Sequence, residues 1–215
     1  MSLDYYFLDE NQVKPDIEIS NPIKFGYLIK HAFTLDEIKY FESRLNDLPW
    51  KIQEIMVAGK TYLPQRETLG FATERHLIEK RSSFGMMFPE IITEIQQKVQ
   101  QLITDHIHEL PQPVMNYCWG NRYRSGMDKV GKHKDNEKWH SRIDPIVSVS
   151  FGIHRHFDVF SPYKRIERFE LGFGDIFLMM PGFQQAYFHA IPVQKKIHNS
   201  RINLTFRSLE RPPTL

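Results

Sequence analysis

The sequence holds a single cysteine, Cys118. No disulfide can form within the chain, which fits a reducing, intracellular setting, nuclear in a eukaryote. A lone cysteine of this kind ordinarily serves as a small apolar packing group rather than a nucleophile. Long hydrophobic runs are also missing. None approaches the ~20 residues that a membrane-spanning helix needs, so no membrane association is expected. Residues 1–20 are acidic and polar and lack the apolar stretch of a signal peptide. Charge of one sign is scarce as well. With 28 Lys and Arg against 26 Asp and Glu, the formal net charge is +2, which excludes a polybasic nucleic-acid wrapper. Internal repeats, low-complexity segments and heptads are absent, which leaves a monomer as the default.

What is present is ordinary for one globular domain. There are 215 residues, 41% of them hydrophobic and 25% charged, enough for a sizeable core. Residues 1–20 read as a loose arm, and Lys24–Ile29 as a short strand. Thr34-Leu-Asp-Glu37 is a capping box, in which the Thr hydroxyl and the Glu carboxylate satisfy free N–H groups at a helix start. That helix is expected to run to about Leu48 and to stop at Pro49. A second helix starts at Pro89, with Ile91, Ile95, Val99, Leu102 and His106 at helical spacing, and ends before Pro111. Residues 50–88 between the helices read as irregular. After Pro113 the pattern changes to short strands near 114–124, 131–136, 145–151, 156–160, 166–171, 175–180, 186–191 and 201–207, separated by Gly- and Pro-bearing turns. Such a block suggests an α+β protein whose core is a double-sheet jelly roll with helices packed outside.

Two segments carry chemistry. In Arg201-Ile-Asn-Leu-Thr-Phe-Arg207, alternation places Ile202, Leu204 and Phe206 on one face and Arg201, Asn203, Thr205 and Arg207 on the other. The polar face either meets water or forms a slot for a dianion, because Arg pairs with carboxylates and Asn and Thr add neutral hydrogen bonds. The second segment is His133-Lys-Asp135, which puts an imidazole and a carboxylate on one side of a strand. H-x-D alone is a weak signal in a chain with ten His. His189, in a strand-like run 54 positions after Asp135, would complete a two-His, one-carboxylate facial triad, the ligand set of non-haem Fe(II) oxygenases. The order is H-x-D, several strands, His, then the Arg-bearing strand. Local basic clusters (Lys129, Lys132 and Lys134; Lys164, Arg165 and Arg168; Lys195 and Lys196) read as phosphate contacts or as solvated surface. His106 and His108 read as surface residues, the His154-Arg-His156 run as surface residues or a phosphate contact, and His140 and His198 give no signal.

Together, Asn121-Arg-Tyr123, Gly131-Lys-His-Lys-Asp135, Pro145-Ile-Val-Ser-Val-Ser-Phe-Gly152, Leu171-Gly-Phe-Gly-Asp175, His189-Ala-Ile-Pro192 and Arg201-Ile-Asn-Leu-Thr-Phe-Arg207 resemble the AlkB family of Fe(II)/2-oxoglutarate-dependent dioxygenases. The resemblance implies a double-stranded β-helix core over residues 112–215 and an N-terminal region, 21–111, of helices and a nucleotide-recognition lid. It implies that His133, Asp135 and His189 ligate Fe(II). Asn121, Tyr123, Arg201, Asn203, Thr205 and Arg207 would hold 2-oxoglutarate, the two arginines each pairing with a carboxylate end, while Asp175 shapes a turn. His-Lys-Asp-Asn-Glu137, the strand after it, and Arg155-His-Phe157 look most like the eukaryotic branch that repairs duplex DNA. In that branch the carboxylate at Glu137 faces the damaged base. Arg66, in Pro64-Gln-Arg-Glu-Thr68, resembles a base-pocket arginine, and Phe84 an aromatic that stacks on the flipped base.

The implied activity is oxidative demethylation of 1-methyladenine and 3-methylcytosine type lesions with Fe(II), 2-oxoglutarate and dioxygen, releasing formaldehyde, succinate and CO2. The partner would be nucleic acid, DNA ahead of RNA. One departure concerns the wedge that opens the duplex. Gly59-Lys60 is preceded by Met56, Val57 and Ala58, with no aromatic, so Val57 or Met56 would have to insert. An RNA demethylase of the same family, and an oxygenase acting on a protein or small molecule, remain as alternatives.

Overall fold

A computed structural model describes residues 17–57, 60–79, 85–108, 110, 112–136 and 140–209. The polar-apolar alternation of the C-terminal half is realised as two sheets. The larger contains β7 (Tyr117–Tyr123), β9 (Ile146–Gly152), β12 (Ile176–Met179) and β14 (Arg201–Arg207). The smaller contains β8 (Val130–His133), β10 (Arg155–Phe160), β11 (Arg165–Leu171) and β13 (Phe188–Ile191), in the order β11-β10-β13-β8. Phe157, Val159, Phe169, Leu171 and Ile191 of the smaller sheet share one buried cluster with Tyr123, Ile146, Phe177 and Met179 of the larger. This is the jelly-roll arrangement expected from the strand spacing.

The N-terminal region extends the larger sheet on both sides. β1 (Glu18–Ile23) and β2 (Gly26–Lys30) add beyond β12, while β5 (Glu67–Ala72) and β6 (Gly85–Met87) add beyond β7, giving the order β1-β2-β12-β9-β14-β7-β5-β6. Three expectations change here. β1 begins inside the stretch read as a loose arm, whose residues 1–16 lie outside the described ones. The strand expected at Lys24–Ile29 is shifted, with Phe25 in the turn at φ 65°. Residues 50–88 are not irregular. They hold β3 (Ile55–Val57), β4 (Lys60–Tyr62), β5, α2 (Arg75–Glu79) and β6. β5 escaped notice because Leu69, Gly70, Phe71 and Ala72 are buried on both faces and show no alternation. Gly70 packs closely there: a Cβ would lie 3.2 Å from the Tyr117 hydroxyl and 3.3 Å from the Trp119 ring, so a larger residue would have to displace these side chains slightly.

Two helices cover the outer face of the larger sheet. α1 (Leu35–Asn46) has the expected capping box: the Glu37 amide donates to Thr34 Oγ1 at 3.3 Å and the Thr34 amide to Glu37 Oε2 at 2.8 Å. α3 (Glu90–His106) buries Ile91, Ile92, Ile95, Val99, Leu102 and Ile103. Full burial of each large side chain contributes about 1.5–3 kcal/mol. Ile202, Leu204 and Phe206 of β14 join these helix residues in the main core, so the apolar face of β14 points at the helices. Its polar face therefore points between the two sheets, which positions the site.

Candidate metal and co-substrate site

Every side chain on the polar face of β14 is buried: Arg201 is 1% exposed, Asn203 7%, Thr205 6% and Arg207 5%. The face is a lined slot rather than a wetted surface. On one side β7 supplies the cross-strand partners, Tyr123 opposite Arg201 and Asn121 opposite Asn203. On the other, β9 places Ser150 opposite Asn203 and Ser148 opposite Thr205. Arg201 Nη2 donates to Ser150 Oγ at 2.8 Å, and Nε donates to the Leu171 carbonyl at 3.1 Å. Its guanidinium carbon lies 5.4 Å from the centre of the Tyr123 ring. Asn203 Nδ2 donates to Ser148 Oγ and the Val149 carbonyl, and Thr205 Oγ1 donates to the Trp119 carbonyl.

Arg201 Nη1 is buried and has no hydrogen-bond partner. Burial pulls the Arg201 pKa down to about 10, with Tyr123 and Asp175 offsetting only part of the effect. A buried guanidinium with an unused donor is costly unless an anion completes it. A carboxylate end of 2-oxoglutarate fits that requirement.

The three candidate metal ligands converge beside this slot. β13 pairs with β8 so that His189 and His133 are directly opposed. Asp135 follows two residues after the end of β8, its amide donating to Gln184 Oε1 at 2.9 Å. Asp135 Oδ1 is 3.5 Å from His133 Nε2, and Oδ2 is 3.7 Å from His189 Nε2. One ligand atom from each residue lies within 4.8 Å of the others. His133 Nδ1 contacts the Gly131 carbonyl at 2.8 Å, an arrangement that leaves Nε2 for a metal. The Phe157 ring stacks on His189 at 5.3 Å. Asp135 and His189 are buried while His133 is partly exposed, so the cluster opens on the His133 side.

Arg207 joins the two halves of the site, its Nη2 lying 3.0 Å from Asp135 Oδ2. Burial alone would push the Asp135 carboxyl up. Arg207, together with His133 and His189, outweighs it and holds that carboxyl well below the usual range. Burial likewise opposes the charge on His133, but the Asp135 carboxylate and the Gly131 carbonyl prevail and raise its pKa. Two imidazoles and one ionised carboxylate form the donor set suited to Fe(II).

Arg66 lies in the β4–β5 turn, is partly buried, and donates from Nε to Asn121 Oδ1 at 2.5 Å, which places it at the slot. Val57 lies in β3. Glu137 and Phe84 fall outside the described residues. Asp175 acts at its turn, where its carboxylate accepts from the Gly172 amide at 3.2 Å.

Several basic residues read as phosphate contacts have partners within the chain. Lys132 donates to the Ser161 and Pro162 carbonyls, Lys134 to the Gln185 carbonyl, and Arg168 forms a two-pronged pair with Asp158, which Arg165 also approaches. Two residues read as surface or silent are buried instead. Arg155 is 0% exposed and donates to the Ser125, Asp128 and Pro192 carbonyls and to Gln194 Oε1. It ties the loop after β7 to the segment before β14. His140 is 8% exposed and touches both Asp135 and Arg207. Arg155 was part of the family likeness but its burial was not legible, and His140 carried no signal at all, because a basic residue among charged neighbours looks the same whether it turns in or out.

Residues 28–207 match the pattern of the 2OG-Fe(II) oxygenase superfamily. The chain belongs to that superfamily. This oxygenase is 36% identical over 121 residues to the human DNA oxidative demethylase ALKBH2, a match covering 52% of this chain and 46% of that protein. It is 28% identical over 193 residues to the Arabidopsis thaliana protein of the same name, covering 78% and 60%. It is 27% identical over 188 residues to the Bos taurus alpha-ketoglutarate-dependent dioxygenase alkB homolog 3, covering 80% and 62%. The chain spans about half the length of the mammalian ALKBH2 relatives it matches. The solved structure of OsALKBH1 superposes with a TM-score of 0.64 at 16% identity, covering 89% of this chain and all of the other, a likeness of fold. The oxygenase therefore uses Fe(II), 2-oxoglutarate and dioxygen. No helix among the described residues is long and apolar enough to cross a membrane.

Proposed function

We propose that this oxygenase removes N-alkyl groups oxidatively from nucleic-acid bases, DNA ahead of RNA, acting on 1-methyladenine and 3-methylcytosine type lesions. The observation that carries the reading is the buried, partly unpartnered Arg201 on one sheet face with a His-Asp-His cluster beside it. The name of the ALKBH2 relatives, DNA oxidative demethylase, supports the choice of substrate. Bound at this centre, Fe(II) with 2-oxoglutarate and dioxygen supplies the oxidising chemistry that converts the alkyl carbon to formaldehyde, with succinate and CO2 as the other products.

The chain's own residues would bind, orient and exclude. His133, Asp135 and His189 would hold the metal from one side. Arg201 would pair with one carboxylate end of the co-substrate, and Asn121, Tyr123, Asn203 and Thr205 would border it. Arg207, already against Asp135, would steady the metal-ligating carboxylate and meet the other end. Arg66 would line the base pocket from the β4–β5 turn, with Glu137 and Phe84 contributing and Val57 supplying the apolar wedge. A base inside a duplex must leave the stack to reach such a centre, and lesions that block pairing lower that cost.

The test is incubation of the protein with Fe(II), ascorbate, 2-oxoglutarate and a 1-methyladenine oligonucleotide, single- and double-stranded. Formaldehyde and restored adenine are followed by mass spectrometry, with His133→Ala as control. Product lost in the control supports dealkylation, and the strand ratio places the preference. Succinate without base repair would retain the oxygenase and overturn this substrate.

A further inference from the structure

We infer that His140 is a positioning residue for co-substrate binding: its imidazole sets the Arg207 guanidinium by accepting a hydrogen bond from it. The inference rests on the placement of Arg207 in the 2-oxoglutarate slot proposed above. His140 belongs to neither metal-ligating strand. Residues 140 and 141 pair with the segment that follows β14 through a bridge between His140 and Leu209 and a bond from the Ser141 amide to the Ser208 carbonyl at 2.9 Å. This local pairing delivers a buried imidazole to a point between the two halves of the site. Its Nδ1 lies 3.2 Å from the Asp135 carbonyl oxygen, and its Nε2 lies 3.2 Å from Arg207 Nη1.

The chemistry of the two neighbours fixes the ring. A guanidinium only donates and a carbonyl only accepts. Nε2 must therefore accept from Arg207, and Nδ1 must carry the proton and donate to Asp135. In that tautomer His140 holds one edge of the guanidinium while Asp135 Oδ2 holds Nη2 at 3.0 Å. The arginine is thus oriented before any dianion arrives, and ordering it in advance reduces what binding must spend on it. The same ring anchors the backbone of a metal ligand, but the contact is to the carbonyl of Asp135 and not to its carboxylate. The larger effect is therefore expected on 2-oxoglutarate rather than on the metal.

Three variants separate positioning from packing. His140→Leu fills the space and makes neither bond. His140→Gln can place an amide oxygen near the Nε2 position and so accept from Arg207. His140→Asn reaches only the Nδ1 position and restores the donor to Asp135. Thermal melting first establishes that each variant is folded. Mn(II) and then 2-oxoglutarate are titrated into the metal-free protein by calorimetry without dioxygen, and KM for 2-oxoglutarate and kcat are measured separately.

The expected result is that Leu and Asn weaken 2-oxoglutarate binding and raise its KM about tenfold, while Mn(II) affinity changes less than about twofold and Gln recovers most of the loss. Equal behaviour of Gln and Asn, unchanged 2-oxoglutarate binding in the Leu variant, or a loss confined to Mn(II) or to the melting temperature would overturn the inference. Arg207→Met is the reference. If it leaves 2-oxoglutarate binding intact, the slot assignment itself fails. If it weakens binding while His140→Leu does not, only the role of His140 fails.

Discussion

His133 and His189 are direct cross-strand partners of β8 and β13, and their ring centroids lie 4.2 Å apart. The register of one antiparallel pair thus brings together two imidazoles that are 56 positions apart in the chain. A one-residue slip would turn one ring to the opposite face of the sheet, so the ladder itself specifies the candidate metal centre. Removing a ligand should cost more than the 10–100-fold typical of residues that merely support ligands. His189→Ala is expected to weaken Mn(II) binding by more than about 100-fold and to abolish 2-oxoglutarate turnover, as read by calorimetry and succinate release. Retained turnover would remove His189 from the centre.

Arg201 is expected to behave oppositely in stability and in function. Its burial with an unpartnered Nη1 is unfavourable in the free protein, and burial lowers its pKa to about 10. A base whose folded pKa is depressed binds protons less well folded than unfolded, so its charge costs stability throughout neutral pH. Arg201→Met should leave the ligand-free protein at least as stable as the parent. It should also abolish the stabilisation by 2-oxoglutarate, about 2.7 kcal/mol at one hundred times Kd in the parent. Melting curves with and without 2-oxoglutarate decide this, and a ligand-induced shift that survives in the variant would refute the pairing.

The pH dependence follows from Asp135 and His133. The depressed Asp135 pKa contributes stability that is present above the unfolded carboxylate pKa and is lost as pH falls through the folded value. The raised His133 pKa contributes stability that is present below the unfolded imidazole pKa and is lost as pH rises through the folded value. A metal needs His133 without its proton. Mn(II) affinity should therefore fall as pH drops through the raised His133 pKa, while the metal-free protein gains stability from the His133–Asp135 pair over the same interval. A pH-independent Mn(II) affinity between pH 6 and pH 8 (about one unit either side of neutral) would contradict this.

Arg155 should matter for the fold more than for the chemistry. Its guanidinium bonds the Ser125, Asp128 and Pro192 carbonyls and lies 5.6 Å from the Tyr123 ring. Arg155→Met strands those carbonyls and is expected to cost about 3–5 kcal/mol, a fall in Tm of roughly 10 °C for a chain of this size. Calorimetric melting checks the value, and a shift below 2 °C (about 1 kcal/mol or less) would show the network to be dispensable.

Glu137→Ala tests the base pocket. Coulomb attraction between a carboxylate and a cationic methylated base favours the lesion over normal bases. The variant should lose repair of 1-methyladenine while keeping substrate-free 2-oxoglutarate turnover. Equal losses in the two assays would exclude a role in base selection.

The sequence by itself determined the elements whose chemistry is local. The capping box at Thr34 and Glu37, the apolar stripe from Ile91 to Leu102 (though not His106, which is exposed) and the alternation in Arg201–Arg207 each depend on neighbours a few residues away, and each is present. The order of H-x-D, His and the Arg strand likewise pointed to the residues that the fold brings together as a His-Asp-His cluster beside a buried polar slot, because the spacing of strands constrains what can share a face. Only the tertiary structure decided the rest. β5 has no alternation because both its faces are buried, so its place beside β7 depends on a partner strand 50 residues away. Whether the polar face of β14 met water or formed a slot depended on which side the helices covered. The burial of Arg155 and His140 was not legible in the sequence, because a basic side chain becomes structural only when distant carbonyls, or another arginine, are brought within hydrogen-bond reach of it.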